Sequence, residues 1–170
     1  MNNKEEIILG IDPGTAVTGY GVIRTDGRVC LPIDFGAIRP AKGMSLEKRY
    51  LAIFNGVEQL IAKYKPDAVS VETQFVKDNI ASAMKLGMAR GAVMIAAARQ
   101  DIPIFCYEPR KVKKAVVGTG SASKHQMQQM TQQILGLSVC PTPEDAADAL
   151  GLAICHAFNK GRVDLLMRSL

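Results

Sequence analysis

The sequence predicts an α/β fold, a five-stranded mixed sheet with helices on both faces. Its element order and its composition carry that expectation. Three β-type segments come first, joined by tight turns, and helical and strand-like segments then alternate. A hairpin pairs its strands antiparallel, whereas a strand–helix–strand unit pairs them parallel by a right-handed crossover, so this order mixes both. Hydrophobic residues make up 48% of the chain while Trp is absent, so the core must rest on Ile, Leu, Val, Ala and Met. That composition suits helices laid against a sheet better than an all-β sandwich. A length of 170 residues fits one compact domain.

Ile7 to Asp12 is a short apolar run ending in Asp-Pro-Gly, a buried strand followed by a turn. Tyr20 to Arg24 and Val29 to Ile38 are the next strands, with Asp26-Gly27 as the hairpin turn between them. Ser45 is a candidate N-cap. After it Leu46, Tyr50, Ile53, Phe54, Val57, Leu60, Ile61 and Tyr64 recur at three- and four-residue steps, the stripe of an amphipathic helix. Pro66-Asp67 ends that helix and Ala68 to Val71 is a fourth strand. Ile80 to Arg99 forms a second helix and Ile104 to Tyr107 a fifth strand. Pro109 to Val117, Lys124 to Leu135 and Pro143 to Asn159 are three more helices. One domain is expected over residues 1–160, with 161–170 as a C-terminal tail that either extends the last helix or frays. No internal repeat, low-complexity stretch or linker is present.

Charge and cysteine usage narrow the setting. A net charge of +5 favours a polyanionic partner, because Lys and Arg displace counterions from a phosphate backbone. Cys30, Cys106, Cys140 and Cys155 contain no C-x-x-C pair and no disulfide framework, which points to a reducing cytoplasm. The N-terminal MNNKEEIILG lacks the apolar stretch of a signal peptide. The most apolar window, Gly91 to Ala98, lies between Arg90 and Arg99 and is shorter than the roughly 20 residues that span a bilayer. It is expected to be a buried helix, with no membrane partner. Gly87 and Gly91, four apart on that helix, permit close approach of another backbone, either the sheet or a second subunit.

The chemistry lies in the acids. Asp12 closes the first strand and Glu72 the fourth; Asp145 and Asp148 are three apart on a helix, hence on one face. Taken singly, each has another reading: Asp12 as a turn residue, Glu72 as a solvated strand end, Asp145 as a partner of the helix dipole. Together they adjoin apolar strands and small residues, where an unpaired charge is costly. Hard oxygen ligands from separated chain positions suit Mg²⁺, which takes one or two carboxylates and keeps several waters. Two such ions about 4 Å apart can stabilise both the attacking and the leaving oxygen of a phosphodiester. Without metal, the carboxylates repel and their pKa values should rise. Phe75, before the polar loop Val76-Lys77-Asp78-Asn79, is placed to stack on an unpaired base. Arg110 to Lys114, with Lys124 and His125 after a Gly-rich turn, form a basic patch.

Other motifs fail. Gly14 to Gly19 has the glycine spacing of a phosphate loop, but Tyr20-Gly21 stands where Lys-Ser/Thr is required. Gly118-Thr119-Gly120 opens like a dinucleotide fingerprint, yet its sixth position is Ser123. Cys140, Cys155, His156 and His125 match no common zinc spacing. A sugar-kinase-like ATPase would share the Asp-x-Gly-Thr of Asp12 to Thr15 but needs a second lobe. A non-catalytic DNA scaffold would not need four clustered acids.

GIDPGTAVTGYGVI, VETQF, SAMKLGMARG, VKKAVVGTGSASKHQ and EDAADALGLAICH, in that order over Ile7 to His156, resemble the RuvC family of bacterial Holliday-junction resolvases. The resemblance implies an RNase H-like fold. It implies a crossover junction endodeoxyribonuclease of DNA recombination and repair, which makes paired symmetric nicks in four-way junctions. Asp12, Glu72, Asp145 and Asp148 match the family's catalytic, metal-binding acids, with two Mg²⁺ per site and Mn²⁺ as a substitute. The nicks would leave 5′-phosphate and 3′-hydroxyl ends. Phe75 matches the aromatic that contacts bases at the junction centre, and Lys113 and Lys124 match two DNA-contacting lysines. A homodimer and the RuvA and RuvB branch-migration proteins are the implied partners. Thr73 departs from the expected Glu or Gln, Ser123 from a common acid, and His125 is less usual.

Overall fold

A computed structural model describes residues 5–73 and 79–167. The strands are β1 (Glu6–Asp12), β2 (Thr18–Thr25), β3 (Cys30–Ile38), β4 (Ala68–Glu72) and β5 (Ile104–Tyr107). The helices are α1 (Leu46–Tyr64), α2 (Ile80–Ala98), α3 (Pro109–Val117), α4 (Lys124–Ile134) and α5 (Glu144–Met167). The sheet runs in the order β3-β2-β1-β4-β5, antiparallel among the first three strands and parallel from β1 through β4 to β5. This is the expected mixed sheet.

Strand alternation sorts side chains to two faces. Ile8 and Ile23 pack with Leu150, Leu152 and Ile154 of α5 and with Val112 and Val116 of α3. Leu9, Ile11, Val22, Val69 and Val71 turn the other way, onto Ile53, Val57 and Ile61 of α1 and Ala89, Val93 and Ala96 of α2. Thus α3, α4 and α5 cover one face and α1 and α2 the other. Glycines bring α5 against the sheet: a Cβ on Gly10 would overlap the Ala149 carbonyl oxygen, and one on Gly21 would lie 2.6 Å from Leu150 Cγ. Ser70 Oγ donates to the Leu152 carbonyl at 2.8 Å and fixes the helix over β4.

Local expectations are met in part. Ser45 precedes α1 but caps no backbone amide; its hydroxyl is taken by Glu47. The end of this helix is where expected, with Lys65 as its left-handed C-cap (φ 47°) directly before Pro66. Of the two alternatives for the tail, extension of the last helix is the one observed as far as Met167. α2 is not simply buried. It hides Ala89, Ala92, Val93, Ala96 and Ala97, yet Ile80, Met84, Met88 and Ile95 are each more than half exposed. By length and composition alone it could cross a membrane, so the Gly91 to Ala98 window understated its apolar extent. One of its faces packs as a core helix does.

Candidate metal centre and its basic rim

Two adjacent strands end in acids at the same edge of the sheet. β1 and β4 run parallel with Ile11 opposite Val71, so Asp12 and Glu72 follow side by side. Alternation places both on the α5 face, in step with Gly10 and Ser70. α5 supplies the other two. Asp145 lies against Gly19, the register partner of Asp12, where an added Cβ would stand 2.8 Å from the Asp145 Cβ. Asp148 is one turn further along and lines a cleft of about 290 Å³ with Asp12, Glu72, Lys113 and Lys124; Pro109, Val112, Met127 and Leu152 complete its wall. Around Asp12, the turn is fixed by Thr18, whose hydroxyl donates to the Gly14 carbonyl at 2.8 Å. The Thr73 amide donates to the Tyr107 carbonyl at 2.8 Å, which anchors the chain just after Glu72.

The electrostatics are those of unneutralised acids brought together. Burial, then Glu72, Asp148 and Asp145, push the Asp12 carboxyl up to about 8, with Lys124 opposing. Burial and Asp148 raise Glu72, against Lys113 and Lys124. Asp148 is also raised, by burial first and then by Asp145 and Glu144, while Lys124 and Lys113 lower it. A buried carboxylate needs a compensating charge, and the two lysines are set at the rim. The all-oxygen donor set fits a hard divalent cation. Among the described residues, no three potential ligands already form a cage for one ion. An ion that takes one or two carboxylates and retains its waters needs no such cage.

Lys113 projects from α3, whose left-handed cap is Gly118. Lys124 begins α4 under a reciprocal cap: Ser123 Oγ accepts from the Gln126 amide at 3.2 Å, and the Ser123 amide donates to Gln126 Oε1 at 2.8 Å. Ser123, which stands where an acid is common, therefore acts as a helix cap. Phe75 lies outside the described residues. Sequence reasoning missed two features here. Glu144 pairs with Lys124 at 3.5 Å, twenty residues away in the chain. The Tyr107 hydroxyl and His156 Nδ1 are 2.7 Å apart in the core, with the Phe105 and His156 ring centroids 4.2 Å apart, so His156 joins β5 to α5. Neither pairing has a local sequence signal.

A mixed five-stranded sheet with four acids gathered at the ends of β1, β4 and the start of α5 defines an α/β protein with an acidic cleft. The family model for crossover junction endodeoxyribonuclease RuvC matches residues 8–156. A RuvC from Protochlamydia amoebophila is 61% identical over 155 residues, 91% of this chain and 92% of that protein. One from Ruminiclostridium cellulolyticum is 46% identical, over 95% of this chain and 96% of the other. The structure of Thermus thermophilus RuvC in complex with a Holliday junction substrate superposes with a TM-score of 0.87 at 33% identity, covering 94% of this chain and 96% of that one. The chain belongs to the RuvC family, and its fold is RNase H-like.

Proposed function

We propose that this protein is a crossover junction endodeoxyribonuclease that resolves four-way DNA junctions by metal-assisted hydrolysis, in recombination and repair. The observation that carries the reading is the convergence of Asp12, Glu72, Asp145 and Asp148 beside a basic rim. The Thermus relative, described in complex with a Holliday junction, supports the substrate. In this reading Asp12, Glu72, Asp145 and Asp148 together would hold two cations, Mg²⁺ with Mn²⁺ as substitute. When bound, the metal lowers the pKa of water and neutralises charge on the attacking and leaving oxygens. Lys113 and Lys124 seat the phosphate, and Phe75 stacks on bases at the junction centre. The apolar walls from Val112, Met127 and Leu152 strengthen these charge interactions by excluding water. Residues 1–160 form the nuclease domain and 161–170 the tail.

We infer a homodimer, since a two-fold symmetric junction requires two matched cuts and an isologous pair provides them. The exposed α2 face supports this interface. A Cβ added at Gly87 or Gly91 meets nothing within 4 Å, so these glycines do not pack on the sheet and leave room for a partner backbone. RuvA and RuvB are proposed partners and the cytoplasm the proposed compartment. Cleavage of a labelled synthetic junction with Mg²⁺ tests the reading: the protein should nick strands in symmetric pairs, and chelation should abolish the reaction. Equal cutting after chelation would refute metal assistance.

A further inference from the structure

Glu144 opens α5 directly before Asp145, and its carboxylate stands 3.5 Å from Lys124 Nζ at the start of α4. Lys124 lines the cleft with Asp12, Glu72 and Asp148, whereas Glu144 lies outside that lining. The lysine therefore has acids on two sides, the cleft acids within and Glu144 at the mouth. Both partners are largely solvated, with side chains 74% and 64% exposed.

We propose that Glu144 is a positioning residue for junction cleavage: its carboxylate parks Lys124 at the mouth of the cleft in the free protein and yields it to a DNA phosphate on binding. The proposal rests on the reading of Lys124 as a phosphate contact. An exposed ion pair is worth at most about five-fold in an equilibrium constant. That weakness is what an exchangeable partner requires, because a buried, desolvated pair would withhold the lysine. The lysine's transfer to phosphate releases a counterion from DNA, contributing about 0.9 to the salt slope of binding. The carboxylate left behind opposes this, since it stays near the duplex and attracts a cation of its own. Removing the Glu144 charge should therefore steepen the slope and tighten binding, provided that Lys124 is present to benefit. General repulsion between Glu144 and DNA would act whether or not Lys124 is there.

A four-part cycle separates the two. Binding of a synthetic four-way junction is measured by fluorescence anisotropy in EDTA, over a salt series, for the intact protein, Glu144→Gln, Lys124→Gln and the double variant. Glu144→Gln should tighten binding up to about five-fold at low salt and steepen the slope by up to about 0.9. Both effects should vanish in the Lys124→Gln background and survive in a Lys113→Gln background. An unchanged slope in Glu144→Gln overturns the proposal, as does an effect that persists in full without Lys124. If the salt slope of the Glu144→Gln protein does not fall when Lys124→Gln is added, the phosphate-contact reading fails first and this proposal falls with it. The exposed positions make misfolding improbable by design, and equal melting temperatures across the four proteins verify it.

Discussion

α5 and α2 share an abundance of small residues and use them in opposite ways. Both are rich in Ala and carry glycines, and each lies on one face of the same sheet. α5 is sunk into its own fold: every residue from Ala149 to Ala157 is buried, and Gly10, Gly19 and Gly21 of the sheet give way beneath it. α2 buries a single alanine stripe and turns Ile80, Met84, Met88 and Ile95 outward, with Gly87 and Gly91 facing open space. Small residues thus permit close approach in both cases, but only in α5 is the approaching backbone in the same chain. Depth of burial also fixes what each helix can carry. Asp148 of α5 is held against the sheet with its carboxyl pKa raised by burial, whereas among the described residues α2 contributes no group to the cleft.

The contrast can be broken most forcefully at the glycines of the α5 face. Gly10→Val would drive a side chain into the Ala149 backbone, and it should cost about 3 kcal/mol or more in denaturant unfolding. A stable variant would mean that α5 does not sit on β1 as described. On the other helix, Met88→Glu with Ile95→Glu should leave the fold intact and convert a dimer to monomer in sedimentation, weakening association by at least about ten-fold. A persistent dimer would move the interface elsewhere.

A third prediction concerns the charge that α5 brings to Asp12. In the folded, metal-free protein this carboxyl stays protonated up to about pH 8, against an ordinary value of 3.8. Between those limits the folded state binds more protons than the unfolded state, so stability should fall as pH rises from about 4 to 8. Glu72 and Asp148 shift in the same direction. The loss should be on the order of a few kcal/mol in EDTA, with a shallower slope for Asp12→Asn. Metal binding requires the deprotonated carboxylates, so Mg²⁺ should bind with proton release and should flatten the same profile. A melting profile in EDTA that is level from pH 4 to 8 would show that Asp12 is not an ionisation-suppressed group. The smallest expected effect is Gly91→Ala, which should stabilise the isolated fold by about 0.5–1 kcal/mol through helix propensity, since its Cβ meets nothing. Destabilisation there in a monomeric variant would contradict the open face.

Much of this was legible in the chain. The apolar run into Asp12, the strand into Glu72 and the three-residue spacing of Asp145 and Asp148 are local signals, and the topology brings them together. β5 and α3 have the boundaries that the sequence predicts, because Pro103, Pro109 and Gly118 punctuate them. What the sequence could not supply is pairing over distance. Whether Gly87 and Gly91 met the sheet or open space depended on which way α2 rolled, and periodicity is weak in a helix so uniformly apolar. The Lys124–Glu144 and Tyr107–His156 contacts join residues 20 and 49 apart, and nothing local announces either. Phe75 keeps its sequence-based role as a proposal, since it lies outside the described residues.

The central claim is that acids from β1, β4 and α5 act as one cation-holding set. Its most direct test is Asp12→Asn on a labelled four-way junction with Mg²⁺, with binding and cutting measured side by side. The variant should bind the junction about as well as the unmodified protein while cleavage falls by at least about 10²-fold, the loss expected when one preorganised electrostatic contact is removed from an active site. Cleavage at the unmodified rate would contradict the account.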